Sequence, residues 1–243
     1  MDISTIILAA GKGKRMKSDL PKVLHPLLDR PMIQYVIDTA QAIGSSRVVL
    51  VVGHKKELVI EATRNSGVNY AFQEQQLGTG HAVLQTAELF KEYSGHILVL
   101  SGDVPLLTEA TLEKLIEIHR KDDPLASLLT AHMADPTAYR RIVRNDNGCV
   151  NQIVEHKDAD EKIRQIKEIN VGIYIFKSQP LFATLPQISN QNSQGEYYLP
   201  DVIKMYVDRG EKVAALMTSD EQETHGINDL KQLQHAEKIL AAR

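Results

Sequence analysis

The chain has 243 residues, 43% hydrophobic and 24% charged, with a formal net charge of −3. That is enough apolar material for one large α/β domain, and the charge excludes bulk attraction to nucleic acid or an anionic membrane, so any grip on phosphate must be local. A lone Cys149 excludes an internal disulfide, no Cys/His cluster has metal-site spacing, and no apolar run reaches the ~18 residues of a membrane span, so a soluble, unsecreted, cytoplasmic protein is expected.

The first segment is the most informative. Ile6, Ile7 and Leu8 form a continuous apolar run, which suits a strand buried on both faces of a parallel sheet. Ala9, Ala10, Gly11 and Gly13 then strip side-chain bulk from the strand's end, so that backbone N–H groups can approach an anion. Lys12, Lys14, Arg15, Lys17 and Lys22 surround the glycines with cations, of which arginine offers a planar fork and lysine a mobile point charge. The dinucleotide fingerprint fails because Met16 stands where a third glycine is needed, and the P-loop fails because Gly11 and Gly13 are too close together. A polyphosphate loop of another kind remains, alongside the plainer reading of a strand exit with solvated lysines.

Beyond it, strands and helices alternate. Pro31 starts a helix with Ile33, Val36, Ile37 and Ala40 at helical spacing, closed by Gly44. Residues 47–52 read as a strand, 57–64 as a helix, 68–72 as a strand, 79–92 as a longer helix and 96–103 as a fourth strand; Thr108 then caps a helix through Leu112, Leu115, Ile116 and His119. This rhythm predicts a doubly wound parallel sheet with its ligand beyond the C-terminal strand ends. From Ala126 the pattern becomes strand-rich (127–133, 141–144, 150–155, 169–176), with a hairpin turn at Asn145-Asp146-Asn147-Gly148, which suggests a lobe over a second substrate. A helix at 199–208, a strand at 212–217 and a helix at 229–240 complete a single domain with no internal repeat.

Other segments offer chemistry, each with a plainer alternative. In residues 73–81 Gln73 can pair with a base edge and Gly78 admits close backbone approach, yet Thr79 could simply cap a helix. Asp103 ends the fourth strand in the ligand crevice, where hard Mg²⁺ favours an oxygen ligand, or it ties down its turn. Glu155 either binds a sugar hydroxyl or belongs to a solvated strand end; Asn170 is a two-way hydrogen-bonding group or a structural asparagine; Asn228, read alone, is a helix N-cap.

Taken in order, the stretches LAAGKGKRM, LPKVLH, QLGTGHAV, GDVPL, VEHKDA, EIN with Gly172, and QGEYY resemble the uridylyltransferase domain of the bacterial GlmU family over nearly the whole chain. The resemblance implies a Rossmann-like three-layer α/β sandwich, GT-A-like, with a mixed, mostly parallel sheet and a strand-rich sugar-binding lobe. It implies a nucleotide-binding half at about residues 1–110, an acceptor-binding half at about 111–228 and a C-terminal helix at about 229–243. It also implies that UMP passes from UTP to N-acetylglucosamine 1-phosphate or a related hexosamine 1-phosphate. Leu8, Ala9, Ala10, Gly11, Gly13, Lys22, Gln73, Gly78, Thr79 and Asp103 would bind nucleotide, with Arg15, Lys22 and Asp103 catalytic. Gly102, Arg140, Glu155, Asn170 and Tyr198 would bind sugar, and Asp103 with Asn228 would hold Mg²⁺. His25 and His81 are read as structural. A related enzyme with another base or acceptor, or a weakly catalytic nucleotide-sugar sensor, are the other readings.

The chain departs from the family pattern at Lys14, where Thr is usual, and on the sugar side at Ser101 for Tyr, Arg140 for Gly, Val171 for Thr and Pro200 for Thr. These edits point to altered or broadened acceptor use. No hexapeptide repeats follow the last helix, so no acetyltransferase activity is expected, and a monomer or weak homodimer is the default.

Overall fold

The computed structural model describes residues 1–243 except Ala138 and the side chain of Lys14, so the departure at position 14 lies outside the described residues. Strand β1 (Ile3–Ala9) runs into a long loop carrying two 3₁₀ turns, Lys14–Met16 and Lys22–Leu24. A small ribbon of β2 (Pro26–Leu27) and β3 (Arg30–Pro31) then leads into α1 (Met32–Ala42). There follow β4 (Val48–Val52), α2 (Lys56–Thr63), β5 (Asn69–Phe72), α3 (Thr79–Leu84), β6 (His96–Ser101) and α4 (Glu109–Asp122). The second half comprises β7 (Ala126–His132), β8 (Arg141–Arg144), β9 (Val150–Val154), α5 (Glu161–Arg164), β10 (Glu168–Lys177), α6 (Ser178–Thr184), α7 (Pro200–Asp208), β11 (Val213–Met217) and α8 (Leu230–Ala242).

The main sheet has the order β11-β7-β10-β6-β1-β4-β5. All of its neighbours pair in parallel except β10, which runs antiparallel to both β6 and β7. Alternate side chains of the central strands feed two cores. Ile6, Val49, Val51, Ile97 and Val99 pack with α3, α6 and α7; Ile7, Leu50, Val52, Leu98 and Leu100 pack with α1, α2 and α4. Burial on both faces explains why these strands read as unbroken apolar runs rather than as alternation. Because β1 leads to β4 on one side while β6 lies on the other, the chain order reverses between β1 and β6. Crevices for ligands form at such a reversal.

Two expectations need correction. The helix expected over 79–92 breaks after Leu84 and resumes only as a 3₁₀ turn, Ala87–Phe90. The buried Thr86 hydroxyl donates to the Val83 carbonyl (2.7 Å), and the Thr86 N–H takes the same acceptor (3.0 Å), so the chain tightens instead of propagating. The strands near 127–133 and 169–176 do not form a separate lobe: β7 and the inner half of β10 extend the main sheet. The β8–β9 hairpin branches from this sheet at the outer end of β10, where Ile169 pairs with Arg141 on one side and Ala131 of β7 on the other, and its Ile142 and Val150 join the main core. The pairing of β10 with β7 shifts register between Asn170 and Tyr174, next to the branch point.

Candidate active site

Two cavities open beyond the C-terminal ends of β1 and β6. One, of about 240 Å³, is lined by Leu8, Ala9, Ala10, Gly11, Lys22, Val23, Gln73, Gln76, Gly78, Thr79, Ala82, Ser101, Asp103 and Glu196. The other, of about 200 Å³, includes Tyr139, Arg140, Glu155, Asn170, Val171, Tyr174 and Pro200. Leu8, Thr79 and Ser101 line both, so the two spaces meet at the sheet's switch point.

The glycine-basic loop is held by one tight contact. Gly13 has φ +56°, and a Cβ there would sit 2.6 Å from Lys22 Cβ and 3.3 Å from Lys22 Cα. Only glycine allows this left-handed turn to lie flat against the second basic segment. The Lys22 ammonium is thereby delivered to the end of β6, where it donates to Asp103 Oδ2 and, at 3.1 Å, to Asn228 Oδ1. Neither plainer reading of these two partners applies. The Asp103 carboxylate faces Lys22 rather than its own turn, and the cap of α8 is Asp229, whose carboxylate accepts from Gln232 N at 2.9 Å. Arg15 is exposed on its 3₁₀ turn and is not among the lining residues; its field, with that of Asp103, reaches Tyr139, whose hydroxyl is pushed up chiefly by burial.

The base side is preorganised by side-chain amides. Gln73 is buried, and its Nε2 donates to the Gly78 carbonyl (3.0 Å) and to His81 Nδ1 (3.0 Å), which can accept because burial lowers the His81 pKa and keeps the ring neutral. Gly78 sits at φ +112° against Tyr197, whose carbonyl would lie 2.5 Å from an added Cβ. Thr79 does not cap α3; its hydroxyl accepts from Leu199 N (3.0 Å) and ties the nucleotide loop to the start of α7.

On the acceptor side, Arg140 Nη2 meets Glu155 Oε2 at 2.9 Å, and the Arg140 guanidinium lies over the Tyr198 ring, 4.6 Å from its centroid. The other Glu155 oxygen accepts from His156 N (3.0 Å), so both carboxylate oxygens are engaged and Glu155 is no solvated strand end. Asn170 Nδ2 donates to the hydroxyl of buried Tyr174 (2.6 Å), whose pKa burial pushes up to about 12. Asp201 beside this group is raised chiefly by burial, with Arg140 pulling the other way. Gly102 lies in the seam between β1 and β6, donating to the Leu8 carbonyl at 2.9 Å, rather than on the cavity wall. Ser101, Arg140, Val171 and Pro200 all line the second cavity, so the four sugar-side departures converge on one space.

The cavities are also lined by residues that the sequence does not single out, among them Val23, Gln76, Ala82, Glu196, Tyr139 and Tyr174: Gln76, Ala82 and Glu196 lie inside motifs marked by their neighbours, and Tyr139 is marked only by its place beside Arg140. Among the described residues no group of three or more His, Cys, Asp or Glu side chains is placed to hold a metal ion. The donor set that does converge, one carboxylate and one amide oxygen already turned toward a single cation, is hard and suits a divalent ion that completes its shell with water and phosphate oxygens.

A glycine-rich basic loop and an acid at the switch point of such a sheet fit a phosphate-binding α/β enzyme, and the chain belongs to the nucleotidyl transferase family, whose model matches residues 4–232. Such enzymes work on nucleotide and sugar-phosphate substrates, and a divalent cation is expected. Within the family the chain is similar to the bifunctional protein GlmU of Oceanobacillus iheyensis, 51% identical over 238 residues, 98% of this chain and 52% of that protein. It is similar also to GlmU of Halalkalibacterium halodurans (48%) and of Bacillus cereus strain G9842 (49%), each with the same coverage. The chain spans about half the length of the curated relatives it matches. Among solved structures, a UDP-glucose pyrophosphorylase complexed with UDP-glucose shares the fold with a TM-score of 0.76 over 100% of this chain and 99% of that one, at 18% identity. No helix among the described residues is long and apolar enough to cross a membrane.

Proposed function

We propose that the chain transfers UMP from UTP to N-acetylglucosamine 1-phosphate or a closely related hexosamine 1-phosphate, releasing pyrophosphate, with Mg²⁺ as the cation and as a monomer or weak homodimer. The observation that carries this reading is the meeting of the two cavities at Leu8, Thr79 and Ser101, which would bring a nucleotide's α-phosphate and a sugar's 1-phosphate together at the end of β1 and β6.

In this reading the acceptor's phosphate oxygen attacks the α-phosphorus in line, and pyrophosphate leaves. That phosphate is already ionised near neutral pH, so no protein nucleophile or general base is needed, and neither His25 nor His81 is asked to act as one. What the chain supplies is position and charge. The backbone of residues 8–13 cradles the phosphates; Lys22 neutralises charge as it shifts to the leaving group, with Arg15 at the mouth of the loop. Gln73, held by Gly78 and His81, reads the base edge. Asp103 and Asn228 would hold the cation, which when bound supplies Lewis-acid neutralisation of phosphate oxygens.

One observation favours a second reading of the acceptor. With Glu155 engaged by Arg140 and His156, the sugar meets guanidinium donors where a free carboxylate would otherwise accept, which supports altered or broadened acceptor use. The decisive measurement is pyrophosphate release across a matrix of nucleoside triphosphates and sugar 1-phosphates, with and without Mg²⁺, on the parent and on Arg140→Gly. Turnover with UTP and N-acetylglucosamine 1-phosphate establishes the first reading, and silence throughout leaves only a nucleotide-sugar sensor. Equal acceptor profiles for the two proteins would dismiss the role given to Arg140.

A further inference from the structure

The sequence assigns Lys22 to the triphosphate, whereas the structure turns its ammonium away from the loop and onto the two oxygen donors proposed for the metal. The two placements are alternatives, because one ammonium cannot bridge Asp103 to Asn228 and neutralise a phosphate elsewhere in the cleft at the same time. Nor can a divalent ion and a lysine ammonium share Asp103 Oδ2 and Asn228 Oδ1 at contact distance, since like charges there repel strongly in a partly dry site. The site is sheltered: the Lys22 and Asp103 side chains are only 17% and 19% exposed.

We propose that Lys22 is an internal placeholder for the cation, so that the protein takes up the preformed metal–nucleotide complex and does not load metal alone. The inference rests on the reading that Asp103 and Asn228 hold the metal. The geometry supports an exchange in place. The Gly13 backbone lies so close to the root of Lys22 that a Cβ there would overlap Lys22 Cβ, which leaves the methylene chain beyond Cβ as the part free to swing. Lys22 also lines the same cleft as Gly11 and Gly78, so a swing away from Asp103 into that cleft would keep the ammonium among the incoming phosphates. Free metal faces an ammonium with no better partner to move to. A metal bound to a triphosphate brings that partner with it, the anion drawing Lys22 off as the cation takes its place. No covalent step is involved; two cations exchange one pair of ligands.

The test is binding of Mn²⁺ followed by electron paramagnetic resonance and by calorimetry, on the parent, Lys22→Met and Asp103→Asn, with and without UTP. Lys22→Met keeps most of the side-chain length and removes the charge. The parent should bind Mn²⁺ tightly only with UTP present, and Lys22→Met should bind Mn²⁺ alone about ten-fold more tightly than the parent, with a rise in melting temperature on adding Mn²⁺ that the parent lacks. If Lys22→Met, folded by its melting curve, gains no affinity for Mn²⁺ alone while Asp103→Asn still abolishes the Mn²⁺–UTP complex, the exchange is overturned and the metal site stands. If Asp103→Asn leaves that complex intact, the metal-site reading itself falls, and the inference with it. Should Lys22→Met fail to fold, Lys22→Gln carries the same comparison.

Discussion

Gly11 and Gly13 look interchangeable in the sequence, yet the structure gives them different work, and alanine at each should separate the two. At Gly11 an added Cβ meets nothing within 4 Å, so the methyl group is accepted by the protein itself and intrudes only on whatever occupies the cleft that Gly11 lines. At Gly13 the same methyl must adopt φ +56° and overlap Lys22 Cβ at 2.6 Å. The left-handed conformation costs about 1–2 kcal/mol. Restoring ordinary contact at 3.4 Å or more parts the two loop segments by about 0.8 Å, and displacements of this size cost about 10²-fold in rate when they move a positioned group. Gly11→Ala should therefore melt within about a degree of the parent but bind UTP about ten-fold more weakly. Gly13→Ala should melt about 2–6 °C lower and lose about 10²-fold in kcat/KM. Scanning calorimetry, UTP titration and pyrophosphate release on the two variants decide the matter. Were Gly13→Ala to melt and turn over like the parent, Lys22 would not be seated by this contact, and the reasoning for the whole loop would be wrong.

Three further expectations follow from single groups. Asp103→Ala should cut turnover by at least about 10²-fold, as read by steady-state kinetics at a temperature where its melting curve shows the variant folded, since Lys22 loses its counter-ion; retained activity would remove Asp103 from the metal site. His81→Phe takes away the acceptor that steadies Gln73, and one lost hydrogen bond of about 1 kcal/mol should raise KM for UTP about five-fold with kcat nearly unchanged, whereas a fall in kcat alone would argue against base positioning. Buried His119 accepts or donates between His96 and Ser127, and burial first, then the neighbouring His96, lowers its pKa from 6.5 to about 4. The folded state therefore binds fewer protons than the unfolded one between those values. About 3 kcal/mol of stability present above pH 6.5 should drain away as pH falls toward 4, and urea midpoints across that range should be flatter in His119→Gln.

The parts of the fold that could be read in advance are those with one physical cause. A strand such as β4, Val48–Val52, is buried on both faces and must be apolar throughout, and α1 shows its buried Ile33, Val36, Ile37 and Ala40 at helical spacing. Elements set by a contest of local and distant effects were hidden. The break after Leu84 depends on where a threonine hydroxyl turns, and the membership of β10 in the main sheet depends on strands far away in sequence. The candidate site divides in the same way. The residue types it brings together were legible because the proposed phosphate chemistry would demand them: glycines for approach, cations for charge, a carboxylate for a hard metal.

Their partners were not legible. A sequence can place Lys22, Asp103 and Asn228 in one site but cannot say that the first holds the other two, because 81 residues separate Lys22 from Asp103 and 206 separate it from Asn228. The same holds for Arg140 and Glu155, an unusual arginine and an expected carboxylate 15 positions apart that prove to be each other's counter-ion. In both pairs a group expected to face substrate faces another protein group instead. That is what low dielectric requires of a partly buried charge, which must be satisfied by the protein until something better arrives. On the proposed reading, substrate binding at this site would be an exchange of partners, and selectivity would rest on which ligands bring replacements for both partners at once: a metal with a triphosphate for Lys22 and Asp103, and a sugar that takes up both Arg140 and Glu155.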